Sequence, residues 1–138
     1  MAAVTANQLI TAREPGSLRP IPVTTLKRLY QGTLVYIDAN GFATDDDAAG
    51  VNEFAGVVKK EADNSAGLDG AIKVEVFTKG SFLLVGTGFT QANSNYQLVY
   101  GSDNYTITVT AAGSSKIGRV TEFVSSTQVY VDIDPIQA

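Results

Sequence analysis

The stretch "LVYIDANGFAT", Leu34 to Thr44, has an echo in "LVYGSDNYTIT", Leu98 to Thr108, a shift of 64 residues. The first copy opens with a β-branched and aromatic run, the composition of a half-buried strand. Asn40-Gly41 follows, a pair that tolerates positive φ and marks a hairpin. "FAT" begins the return strand. Gly50 falls on Gly113, a shift of 63, and Gly56 on Gly118, a shift of 62, so two single-residue gaps align 34–58 with 98–121. Further on, "KVEV" (73–76) answers "QVYV" (128–131). The shared order is strand, turn, strand, glycine-ended loop, glycine-containing strand, loop, alternating strand. Two copies are too few for a solenoid. They predict an all-β fold, a small barrel or sandwich, with a pseudo-twofold duplication over about 34–76 and 98–131.

The intervening sequence keeps this style. Ile72, Val74 and Val76 alternate with Lys73 and Glu75, and "AIKVEVFTKGSFLLVG" reads as a strand pair turned at Lys79-Gly80. Turn signals recur through the body, the spacing of a sandwich or barrel. Residues 1–32 differ. They hold Pro15, Pro20 and Pro22, three of the four prolines. Proline removes a backbone donor and biases its predecessor toward extended geometry. The segment is expected to be an extended arm, with a short edge strand near 21–26, preceding a body of 33–138.

The chain has 138 residues, room for one domain with a core. Its apolar and charged fractions, 44% and 17%, are those of a folded chain. There is no cysteine for a disulfide framework or a thiolate zinc site, and no histidine, the commonest general acid/base and metal ligand. Catalysis is not expected. No apolar run is long enough to span a membrane, and the N-terminus has no secretory pattern, so synthesis in a cytoplasm is expected.

The net charge of −4 is unevenly placed. Residues 1–32 carry Arg13, Arg19, Lys27 and Arg28 against Glu14, a net +3, and the remainder has a net −7. An acidic body does not suit nucleic acid. A basic arm suits a protein surface of opposite sign, which makes Arg13, Arg19, Lys27 and Arg28 the candidate binding residues.

Other motifs carry less chemistry. Asp45 to Asp47 could ligate a cation but reads as a solvated loop tip. "DNSAGLD" (63–69) has the look of a calcium loop, yet the position that should hold a bidentate glutamate is Val74. "GTG" (86–88) lacks the third glycine and the helix of a dinucleotide site. "SSK" (114–116) lacks the spacing of a serine–lysine pair and falls in a predicted loop. Tyr36, Tyr96, Tyr100, Tyr105 and Tyr130 could form a sugar-stacking surface or cap a core with their hydroxyls at its rim. No cofactor or metal is expected.

In order, "TLVYIDANGFAT", "FAGVV", "VEVFTKGSFLLVG", "YQLVYGSDN", "IGRV" and "VYVDI" (Gly32 to Ile133) resemble the small capsid decoration, or cement, proteins of tailed bacteriophages. The resemblance covers about three quarters of the chain and leaves the segment before Gly32 unmatched. It implies a virion structural protein that binds the outside of the head. Its partner would be the major capsid protein, and it would usually act as a homotrimer at threefold or quasi-threefold positions. Other readings are a head-fibre base or tail component, or a carbohydrate-binding module.

Overall fold

The computed structural model describes residues 3–10, 12–15, 18–101 and 103–135, with 12–15 described by backbone alone. The strands are β1 (Ala12–Pro15), β2 (Leu18–Pro22), β3 (Lys27–Leu29), β4 (Leu34–Ile37), β5 (Ala43–Thr44), β6 (Glu53–Val58) and β7 (Ala62–Asn64). They continue with β8 (Lys73–Phe77), β9 (Gly80–Val85), β10 (Leu98–Gly101), β11 (Ile107–Thr108), β12 (Ser115–Ser125) and β13 (Gln128–Ile133). No helix occurs among the described residues. One sheet runs β2-β8-β6-β4-β5, a second β1-β9-β13-β12-β10-β11, and β3 pairs with β7 alone.

Apart from the β1–β9 pair, the two large sheets repeat one another in strand order and in the register of their matching pairs. Leu34 faces Val57, Val35 faces Gly56 and Tyr36 faces Phe54, which leaves Ala55 as the extra residue of a bulge. Leu98 faces Arg119, Val99 faces Gly118 and Tyr100 faces Lys116, which leaves Ile117 as the extra residue. The short return strands match too, with Tyr36 opposite Thr44 and Tyr100 opposite Thr108. Val58 faces Val76 as Val120 faces Val131. The echo read from sequence is therefore an echo of hydrogen-bonding register.

The repeat also reaches further back than the sequence echo. Ile21 faces Val74 as Leu84 faces Val129, so β2 is the counterpart of β9. The prolines hide this. β2 is an edge strand and tolerates Pro20 and Pro22, whereas β9 lies between β13 and β1 and needs its N–H groups on both sides.

The described residues before Gly32 are largely extended, and several of them pack against or hydrogen-bond to the body. Ile21, Val23 and Leu29 are fully buried. Asn104 accepts from Val4 N–H at 3.0 Å and donates to Val4 O at 3.1 Å, so its carboxamide acts like a peptide group. Gln8 N–H donates to Gln31 O at 2.7 Å, and Gln31 N–H donates to Asn7 Oδ1 at 3.0 Å. The expected hairpin at Lys79-Gly80 is also absent. β8 and β9 belong to different sheets, because each already has partners on both sides. Gly80, at φ +117°, carries the chain across, and the rings of Phe77 and Phe82 pack 5.4 Å apart.

Each sheet curls so that a single parallel bridge joins the end of its β2 or β9 strand to its far side, Val23 to Ala43 and Val85 to Thr106. Neither closes into a barrel. Inside the curls the cores correspond, Val35 with Val99, Ala55 with Ile117, Val58 with Val120, Val74 with Val129 and Val76 with Val131. The outer faces do not. On the first half Leu34, Tyr36, Phe54 and Val57 are buried in the second half's core cluster. Burial of such side chains is worth about 1.5–3 kcal/mol each, which is what fastens the halves together. Tyr36 O–H donates to Asp103 O at 2.7 Å and Leu34 N–H to Asn104 O at 2.7 Å. A Cβ on Gly101 would lie 2.1 Å from the Tyr36 hydroxyl, so glycine there admits the tyrosine.

Candidate functional site

The four basic residues picked out by charge are carried on three different sheets. Arg13 lies in β1, with its side chain outside the described residues. Arg19 is exposed on β2. Lys27 and Arg28 lie on β3 and are engaged by their own chain. Lys27 Nζ is 3.0 Å from Asp45 Oδ1. Arg28 Nε donates to Glu61 Oε2, lies 4.0 Å from Asp63 Oδ2, and its guanidinium sits 5.3 Å from the Tyr30 ring centre. Asn7 Nδ2 donates to Glu61 Oε1 at 2.7 Å. The hydrogen bond from Arg28, reinforced by Asn7, holds the Glu61 carboxyl below its ordinary value. Asp63 is held low first by the Ser65 hydroxyl and backbone. This cluster ties the N-terminal segment to the β3–β7 pair.

The acidic run at 45–47 is not simply a solvated tip. Asp47 is buried, at 5% exposure, and its Oδ2 has no hydrogen-bond partner. Burial pushes its carboxyl above the ordinary value. Ala48, Ala49 and Gly50 follow with φ of +51°, +53° and +88°, a left-handed run costly for alanine. The surroundings fix it. Ala48 N–H donates to Asp46 Oδ1, Gly50 and Asn52 N–H to Asp47 O, and Asn52 Nδ2 to Asp46 O. Among the described residues no three acidic side chains are grouped to hold a metal.

The calcium-like stretch is also a self-satisfied turn. Asp63 Oδ1 accepts from Ser65, and Asp69 Oδ1 accepts from Thr24 Oγ1 and Thr25 N–H. Asn64, buried at 2% exposure, directs Nδ2 at Val23 O, Thr24 O and Leu68 O. Gly86 of "GTG" is a close approach, since a Cβ would lie 2.6 Å from Ile107 O. Within "SSK", Ser115 Oγ donates to Asn52 O across the halves. Of the five tyrosines considered for sugar stacking, Tyr36 is buried, Tyr100, Tyr105 and Tyr130 are half-buried, and Tyr96 is exposed with φ +57°.

Where the halves meet, the two matching glycine loops touch. A Cβ on Gly50 would lie 2.9 Å from the Ser114 backbone. Beside this contact runs a groove of about 250 Å³ lined in part by Asn52, Glu53, Tyr100, Lys116 and Asp134. It continues toward a second of about 200 Å³ at Leu98, Arg119 and Asp132. This is the second half's outer face, the counterpart of the buried Leu34, Tyr36, Phe54 and Val57. Lys116 stands for Phe54 and Arg119 for Val57. The substitution of charge for apolar bulk leaves that face solvated. The register echo held the signal for it, in the pairs Phe54/Lys116 and Val57/Arg119. No protein-family model matches the chain, and neither a curated protein nor a solved structure does.

Proposed function

We propose that this chain is a structural virion protein that binds the outer surface of a tailed-phage head and ties neighbouring copies of the major capsid protein together, as a homotrimer at threefold or quasi-threefold positions. The observation that carries the reading is the ordered run of motifs from Gly32 to Ile133, whose members fall on the register-matched strands of two fused halves. In that body the polar residues that could have been catalytic or metal-binding close turns and brace loops. A protein of this kind works through shape and stability, with no direct contact to nucleic acid or membrane.

The mechanism is linkage. A ligand that binds only the assembled lattice stabilises it by RT ln(1 + [L]/Kd), about 2.7 kcal/mol per site at a hundredfold excess over Kd. Many sites and a trimeric ligand multiply the effect. The test adds purified protein to undecorated heads, then measures bound copies and the temperature of DNA release. Saturable binding with a higher release temperature is expected. Absence of binding, or binding without stabilisation, would oppose the reading.

A further inference from the structure

We infer that the tip formed by Leu26 and Leu68 is the apolar anchor that this protein inserts into a pocket on its shell, an inference that rests on the capsid-binding reading above. Leu26 is 68% exposed and Leu68 79% exposed. They lie on two loops clamped together at one end of the first half. Thr25 Oγ1 donates to Gly67 O at 2.7 Å, and Thr25 N–H to Asp69 Oδ1 at 2.7 Å. The Asn64 carboxamide reaches carbonyls on both loops, Thr24 O and Leu68 O, each at 3.0 Å. A Cβ on Gly67 would lie 1.9 Å from Asn64 Oδ1, so the clamp depends on glycine there.

Leu26 has φ +60°. A bulky residue in the left-handed region is an outlier, held only where the surroundings over-determine it. Glycine would take that backbone without strain. A leucine that strains its backbone and still gives most of its side chain to solvent contributes little to this chain's own core. Rigid, pre-ordered apolar side chains lose little entropy on docking, which is the property of an interface anchor.

The surroundings favour an apolar pocket as the occupant. The neighbouring cations are already neutralised within the chain, Lys27 by Asp45 and Arg28 by Glu61. Two leucines are far short of the roughly 800 Å² per partner that a stable pair of free proteins buries. Such an anchor suits an array, where other contacts and many copies act together.

The test compares wild type, Leu26→Gly with Leu68→Ser, and Leu68→Ser alone, in titrations of undecorated heads, with thermal unfolding and sedimentation of each free protein. The double variant should bind at least roughly tenfold more weakly while melting no lower than wild type, because glycine relieves the strain at position 26. Leu68→Ser alone should weaken binding with unchanged melting, and it decides the matter should the double variant melt early. Variants that bind as tightly as wild type would overturn the anchor and leave the capsid reading standing. Wild type that fails to bind heads would overturn both. Wild-type self-association that the variants abolish would make a second copy the occupant and overturn the shell pocket.

Discussion

Gly56 and Gly118 occupy the same place in the two halves, each directly after the extra residue of a bulge and each pressed against the carbonyl of the next strand. A Cβ on Gly56 would lie 2.2 Å from Phe77 O, and one on Gly118 would lie 2.1 Å from Asp132 O. Phe77 and Asp132 are themselves counterparts, opposite Val57 and Arg119. A glycine repeated at one register position, with the same neighbour excluding a side chain, is a packing requirement written twice.

Gly56→Ala and Gly118→Ala should therefore each be strongly destabilising, by about 2–4 kcal/mol, because backbone must move to admit the methyl. Gly41 and Gly113 have positive φ but open space around them, so alanine there should cost only about 1–2 kcal/mol. Urea denaturation of the four variants checks the order.

Asn104→Ala should free the N-terminal segment. It removes both bonds to Val4 from a residue 1% exposed. A loss of about 1–3 kcal/mol is expected for two hydrogen bonds to a half-buried residue. Hydrogen exchange at residues 4–8 should quicken well before exchange in β12 and β13. Unchanged exchange at Val4 would mean that the carboxamide pairing is not formed in solution.

The pH response should have two components of opposite sign. Glu61 and Asp63 are held below their ordinary values, so their contribution is present above the unfolded carboxyl range and is lost as pH falls through their lowered folded values. Asp47 is held above its ordinary value, so the folded state binds its proton more tightly. Its contribution is full below the unfolded value and is lost as pH rises through the folded one. Asp47→Asn should remove that decline and leave the acid-side loss intact. Melting temperature followed from acid to neutral pH separates the two.

Replacing Lys27 and Arg28 with alanine should leave the salt dependence of head binding nearly unchanged, since their charges are met within the chain. Among the candidate basic residues whose side chains are described, Arg19→Ala is the informative change, because Arg19 is exposed and, among the described residues, makes no ion pair. Titration of heads at two ionic strengths distinguishes them, exposed charge pairs being screened within about 8–10 Å.

Much of the fold was legible because β grammar is local. Leu34 to Ile37 and Leu98 to Gly101 announce themselves by composition, and Gly50, Gly56, Gly113 and Gly118 fix the alignment. What composition could not show was pairing between distant segments. Pro20 and Pro22 masked β2 as the counterpart of β9, so the repeat seemed to start at Leu34 instead of Leu18. Lys79-Gly80 looked like a hairpin because a turn signal does not say which sheet receives the next strand. Net charge located Arg13, Arg19, Lys27 and Arg28 in sequence but not the partners of Lys27 and Arg28, Asp45 and Glu61, which come from later loops. The burial of Asp47 and the left-handed backbone at Leu26 depend on tertiary contacts.

The most direct test of a virion role is electron microscopy of undecorated heads incubated with the purified protein. Density for the two-halved β body on the outer surface, at threefold or quasi-threefold positions with the Leu26–Leu68 tip toward the shell, is the expected result. Density confined to the inside of the shell or to tails, or heads left bare at saturating protein, would contradict it.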